Sequence, residues 1–498
     1  MASAPPAELA AAAAEQWRCE LFIGGEWGPS ASGETTPASS PGSGARIGEV
    51  AWGERVDAQR AIAAARAAAE RWARLTAFER AEKMHAVGDL IEARREALAQ
   101  TLALDQGKPL HAEARDEVSE LVEYWRMAAE DCKRLGGELP NSVSPGKRVM
   151  LVRRSLGAVG VISPWNWPYT MPAELIAPAL ACGNTVVWTP APSTAVCAQA
   201  LARCIVDADL PAGVFNIVTG PGPVVGDEIA RNAGLAGIAF IGSTATGGLV
   251  ASAAAGKAAL LEMGGNGPLI VMDDADVEAA VEATLVACFL CAGQSCTAGE
   301  RILVQRGIHD EYVAALAAAV SERVRLGDPF DDATTMGPLN NEPVAAKMDE
   351  HVADALARGA KLLCGGERDR RFPTALYWQP TVIDGVPPDA RVATEETFGP
   401  VAPVVAIDSL EHAIELTNAS PYGLLAAIFT ADVSQGLHFA DSVHTGWVNI
   451  NESTNYWEAH LPFGGRAGTG SGTGRVGGNH VMATFTELQT VVLTPPRR

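Results

Sequence analysis

Basic side chains are scarce in this chain: 38 Lys and Arg stand against 59 Asp and Glu, a net charge of −21. A surface so acidic cannot neutralise a row of phosphates, which argues against nucleic acid as a partner. No run of about 18 uncharged apolar residues with membrane-like flanks occurs, and the stretch around Ala280 to Ala292 is too short and carries Glu282. The Ala-rich segment Met1 to Glu15 lacks the charged start and apolar core of a signal peptide and reads as a frayed tail. A soluble, cytoplasmic protein is expected. The nine cysteines are odd in number and scattered, which fits a reduced compartment. Cys288, Cys291 and Cys296 are followed by no second Cys or His pair at zinc-site spacing, so no metal is expected. There is no internal repeat beyond a βα rhythm.

What is present centres on Ala292-Gly293-Gln294-Ser295-Cys296-Thr297, one cysteine in a glycine-containing loop after the apolar run Leu285 to Leu290. A thiolate is a strong nucleophile toward a carbonyl and can later be released, although a small buried core cysteine would also explain the residue. Upstream stands Leu261-Glu262-Met263-Gly264-Gly265-Asn266, a carboxylate followed by glycines that allow close backbone approach. Further back is Pro164-Trp165-Asn166-Trp167-Pro168, an amide between two aromatics and two prolines. Structural readings exist for each, a turn cap for Glu262 and a loop brace for Asn166. Together, nucleophile, base and amide donor are the parts needed to make and hydrolyse a thioester.

With these blocks, Gly242-Ser243-Thr244-Ala245-Thr246-Gly247, Glu396-Thr397-Phe398-Gly399-Pro400 and Pro462-Phe463-Gly464-Gly465, the chain resembles the aldehyde dehydrogenase superfamily from about Leu21 to Val492. The resemblance implies NAD(P)-dependent oxidation of an aldehyde to the acid. Cys296 would be the nucleophile, Glu262 the base, and Asn166 the oxyanion donor beside the Cys296 N–H. Glu396 and Phe398 would position the nicotinamide ribose and ring. NAD is the expected cofactor, with NADP possible, and its contacts would come from Ile162, Pro164, Trp165, Thr189, Ser193, Gly226, Phe240, Gly242, Ser243 and Thr246. Trp167, Met171 and Phe463, with Tyr169 and Trp457 nearby, would border the substrate tunnel and hint at an apolar or aromatic aldehyde. A CoA-acylating relative would not need Glu262, and a non-catalytic nucleotide-binding scaffold would not need the three residues together.

Length alone argues for two or three domains. Helical periodicity predicts helices over Val56 to Arg74, Ala77 to Leu104 and Ala112 to Leu135, and Ser30 to Gly44 reads as a loop rich in Gly, Pro and Ser. From Ala158, short wholly apolar strands alternate with helices, the mark of a parallel sheet covered on both faces. The loop Gly242 to Gly247 follows one such strand and opens a helix, so its N–H groups could hold a pyrophosphate. The expected fold is α/β, a Rossmann-type cofactor domain with a second α/β catalytic domain and a small β oligomerisation arm. The segments are a tail at 1–18, a cofactor domain at 19–135 and 154–263, a catalytic domain at 264–446, a return to the cofactor domain at 447–483, and an arm at 136–153 and 484–498. A homodimer or homotetramer is expected, with no membrane partner. Three departures from the family pattern stand out. Thr189 and Pro192 replace the usual lysine and glutamate at the adenosine ribose, Val476 replaces a glutamate, and Glu174 stands where an aromatic is common.

Overall fold

The computed structural model describes residues 17–496. Two large sheets dominate. The first has eight strands, ordered Gly472–Thr473, Ala258–Glu262, Gly237–Ile241, Ala158–Ser163, Thr185–Pro190, Phe215–Ile217, Leu21–Ile23 and Glu26–Gly28, parallel over the five central ones. Those central strands are buried almost throughout, as wholly apolar sequences between two helical layers must be. The second sheet has seven strands, Lys361–Cys364, Thr381–Asp384, Val401–Ile407, Gly299–Gln305, Gly267–Val271, Leu425–Phe429 and Trp447–Ile450, parallel except at the first. The two sheets therefore meet in sequence between Glu262 and Gly267, where the glycines of the Glu262 block cross over. This is the expected α/β class.

A two-stranded ribbon, Arg148–Ser155 against Thr486–Leu493, stands apart from both sheets. A small three-stranded sheet combines Trp17–Cys19, Thr35–Ser39 and Arg46–Ala51. No described helix is long and apolar enough to cross a membrane.

Several local expectations give way to tertiary packing. Ser30 to Gly44 is not all loop, because Thr35–Ser39 finds a partner in Arg46–Ala51. The tail expected to reach residue 18 is already strand at Trp17–Cys19, paired with Gly48 to Val50, while residues 1–16 lie outside the described part. The helix expected over Ala77 to Leu104 is two, Ala77–Ala93 and Arg95–Asp105, broken at Arg94 (φ −108°, ψ 11°). No Gly or Pro signals that break. The Arg94 guanidinium donates to Asp207 at 2.6 Å, which ties the junction to the helix Ala195–Asp207. The return expected at residue 447 comes later, since Trp447–Ile450 pairs with Leu425–Phe429 in the second sheet and Gly472–Thr473 is the first strand to rejoin the other.

Candidate active site

Three consecutive left-handed residues prepare the cysteine loop. The helix Val277–Phe289 ends at Leu290, and Cys291 (φ 53°), Ala292 (φ 53°) and Gly293 (φ 70°) then reverse the chain. Two non-glycine residues held in this region are strained by roughly 1–3 kcal/mol each and persist only where the surroundings hold them. Here Cys291 N–H donates to the Glu113 carboxyl at 3.1 Å, and Gln294 bridges Cys291 O at 2.8 Å to Asn340 N–H at 2.8 Å. At Gly293 a Cβ would lie 2.2 Å from Gly399 O, so only glycine lets the cysteine loop rest on the loop that carries Phe398. Beyond it, Asn455 fixes both neighbours of Cys296. Its Oδ1 accepts from Ser295 at 3.1 Å and from Thr297, and its Nδ2 donates to Val286 O at 2.8 Å.

Cys296 and Glu262 line one small cavity of about 30 Å³. Trp167, Met171, Leu290, Phe463, Trp457 and Val476 supply its apolar wall, and Glu174 a second carboxyl. Glu262 ends its strand, and its Oε1 is buried without a hydrogen-bond partner. Burial pushes this carboxyl up to about 8, partly offset by the Cys296 thiol and reinforced by Glu396. The Cys296 thiol is itself raised well above its ordinary value, chiefly by burial and then by Glu262. Asn166 Nδ2 donates to Gln294 O at 3.0 Å, which sets the amide two residues from Cys296. Cys291 is placed differently. Its Sγ faces Gln106 Nε2 (3.4 Å) and Asn166 O (3.6 Å) and does not line the cavity.

Glu396 accepts from Gly265 N–H at 2.9 Å, linking its loop to the glycines after Glu262. Phe398, left-handed at φ 59°, meets the edge of Trp165 at 5.5 Å between ring centres. Sequence reasoning missed the residue that holds this loop. Glu300, buried in the strand Gly299–Gln305, accepts from Thr397 N–H at 2.8 Å and Phe398 N–H at 2.6 Å. Its only signal is a carboxylate inside a run of otherwise buried strand residues.

A second cavity, about 620 Å³, opens beyond the carboxyl ends of the first sheet's central strands. Ile162, Thr189, Gly226 and Thr246 line it as expected, together with Pro192 and Arg231. Its size and place, at a helix N-terminus and a sheet's carboxyl edge, fit a dinucleotide. Ser193 is exposed in the turn Pro192–Thr194 and is not among the lining residues, and the same holds for Phe240, whose ring packs beneath Gly242 and Gly247. Ser243 caps the helix Thr244–Ala253, accepting from Thr246 N–H at 3.3 Å. Gly242 N–H donates to Glu262 O at 3.1 Å, and Pro164 is half-buried beside Trp165. Arg231 is neutralised by Asp227, with one contact at 2.7 Å.

The family model for the aldehyde dehydrogenase family matches residues 27–491. The chain is 38% identical over 478 residues to a mitochondrial succinate-semialdehyde dehydrogenase of Arabidopsis thaliana, covering 96% of this chain and 89% of that one. It is 36% identical to a glutarate-semialdehyde dehydrogenase of Pseudomonas aeruginosa, covering 96% and 98%. Among solved structures, betaine aldehyde dehydrogenase from Staphylococcus aureus in complex with NAD+ superposes with a TM-score of 0.94 at 33% identity, covering 99% of this chain and 98% of that one.

Proposed function

Because this chain belongs to the aldehyde dehydrogenase family and oxidises aldehydes to acids with NAD(P), we propose that Cys296, Glu262 and Asn166 carry the chemistry. One observation bears most of this reading: the only cysteine in the 30 Å³ cavity shares it with an unpartnered glutamate. The Cys296 thiol gives up its proton to solvent, its sulfur bonds to the aldehyde carbon, and the resulting oxyanion is met by the Cys296 N–H and the Asn166 amide. Glu396, Phe398 and Trp165 are the side chains that would position a bound nicotinamide, which would supply the acceptor for the hydride leaving that carbon. The oxyanion then collapses to a thioester. Glu262 takes a proton from water, the water oxygen attacks the thioester carbon, and the C–S bond breaks to release the acid. A carboxyl base beside Cys296 favours hydrolysis over acyl transfer, so added CoA is expected to leave the rate unchanged. NAD(P)H formation from a panel of aldehydes, with equal amounts of acid recovered, tests the reading.

The adenosine end bears on cofactor choice. Pro192 offers no anion to select NAD, Thr189 no cation to select NADP, and Arg231 is held by Asp227. Burying a phosphate dianion without a free cation is costly, so NAD is expected to lead NADP in kcat/KM by about tenfold or less. A preference for NADP would mean that Arg231 leaves Asp227 for the phosphate.

The ribbon Arg148–Ser155 with Thr486–Leu493 supports a homodimer or homotetramer. Two strands alone are marginal in water, and Leu488, Val492 and Leu493 are exposed on this one. Light scattering at micromolar concentration is expected to give twice or four times the chain mass. The domain division expected from the sequence, adjusted to the later return at Gly472, and a cytoplasmic setting for nine free cysteines belong to the same proposal.

A further inference from the structure

Glu174 takes no part in the chemistry above, yet it lines the same small cavity as Cys296 and Glu262. It is 3% exposed, and its Oε1 is buried without a hydrogen-bond partner. A buried carboxyl left unpaired is costly and asks for a partner that the protein itself does not supply. Among the described residues lining the cavity none is basic. Lys108 lies over the Trp167 ring at 3.7 Å, but it is ion-paired with Glu117 at 2.5 Å and does not line the cavity.

The surroundings add more of the same sign. Burial first, then Glu262, and then Glu120, half-exposed on the helix Arg115–Cys132, hold Glu174 well above the usual carboxylate range. One turn on, Tyr124 stacks on Trp457 at 6.1 Å, and exposed Glu123 and Glu458 flank that pair. Three further lining residues, Trp167, Trp457 and Phe463, are aromatic, and aromatic rings attract cations.

We propose that Glu174 sets the charge of the substrate, so that the cavity favours aldehydes whose chain ends in a protonated amine and rejects those ending in a carboxylate. An amine N–H donates to the unpaired Glu174 oxygen, and its charge is balanced by the carboxylate it meets. A carboxylated aldehyde instead brings a buried anion to a cavity that holds two carboxyls and, among its described lining residues, no cation to receive it. The site would thus differ from the relatives named for succinate and glutarate semialdehydes, despite more than one third sequence identity.

The inference rests on the Cys296 cavity being the site of aldehyde oxidation, and the test separates the two. Three aldehydes of equal chain length are compared by kcat/KM with NAD: 4-(dimethylamino)butanal, its uncharged isostere 5-methylhexanal, and glutarate semialdehyde. The amine is expected to lead the isostere by about tenfold or more, as a charge-assisted hydrogen bond in a buried site allows, and glutarate semialdehyde to fall below both. In Glu174→Gln the ratio of amine to isostere is expected to drop to near one and that of glutarate semialdehyde to isostere to rise. The parent panel decides the matter even where the variant folds poorly. Glutarate semialdehyde or 5-methylhexanal as the best substrate overturns the proposal, as does an unchanged ratio in a folded Glu174→Gln. Turnover of all three in the wrong order overturns this inference alone, whereas no NADH from any of them overturns the Cys296 reading and this inference with it.

Discussion

Cys296→Ala is expected to abolish NAD(P)H formation from every aldehyde, by about a thousandfold or more, while the fold and cofactor binding survive. The size of the effect follows from the covalent route. Without sulfur no thiohemiacetal forms, and direct hydride loss from a hydrated aldehyde has neither the carbon–sulfur adduct nor the oriented oxyanion to help it. Survival of the fold follows from the loop, whose shape is held by Gln294, Glu113 and Asn455 and not by the thiol. Cys291 is not a substitute, because its sulfur sits outside the cavity between Gln106 and Asn166. Stopped-flow absorbance with saturating aldehyde and NAD settles the point. Turnover within tenfold of the parent would remove Cys296 from the mechanism.

Glu262→Gln should behave differently, releasing one equivalent of NADH per site in a burst and then stalling. The thioester still forms, since that step needs Cys296 and Asn166, but water is no longer deprotonated. A general base is worth roughly 10²–10⁴ in rate, and the steady state should fall by about that factor. The pH profile gives a second readout. Burial pushes Glu262 up to about 8, so its active carboxylate form grows about tenfold per unit as pH rises toward 8 and then levels. Steady turnover of the parent is expected to follow that rise, and Glu262→Gln to lose it. Steady turnover at the parent rate would assign proton removal to another group, with Glu174 the first to examine.

The proposed chemical residues stand out in the sequence because each sits in a short segment with its own punctuation: Asn166 between prolines, Glu262 before two glycines, Cys296 after Gly293. The proposed nucleotide loop stands out as a strand followed by a glycine-bearing helix start. What supports these residues does not. Ala258–Glu262 reads Ala-Ala-Leu-Leu-Glu, a sequence of helix formers, and is a strand only because Gly237–Ile241 and Gly472–Thr473 flank it. Glu300 and Asn455 are single polar residues whose partners lie far away in sequence, and no local pattern marks them. The left-handed run Cys291-Ala292-Gly293 has its glycine only at the third position, so nothing local announces the first two.

The antiparallel pairing of Gly472–Thr473 with Leu261 and Glu262 has a consequence for biogenesis. A Cβ on Gly472 would fall 1.8 Å from Leu261 O, and Ser471 Oγ donates to Gly264 O at 2.7 Å, so this late segment clamps the strand that ends in Glu262. On the ribosome, at about 5–20 residues per second, roughly 10–40 s pass between synthesis of Glu262 and arrival of that clamp. Through this interval the strand Ala258–Glu262 is an open edge, with unpaired backbone groups able to template another chain. Nascent chains crowded on one message are therefore most exposed to mispairing in this window, and a chaperone that shields that edge would raise the yield of active enzyme without touching the finished protein.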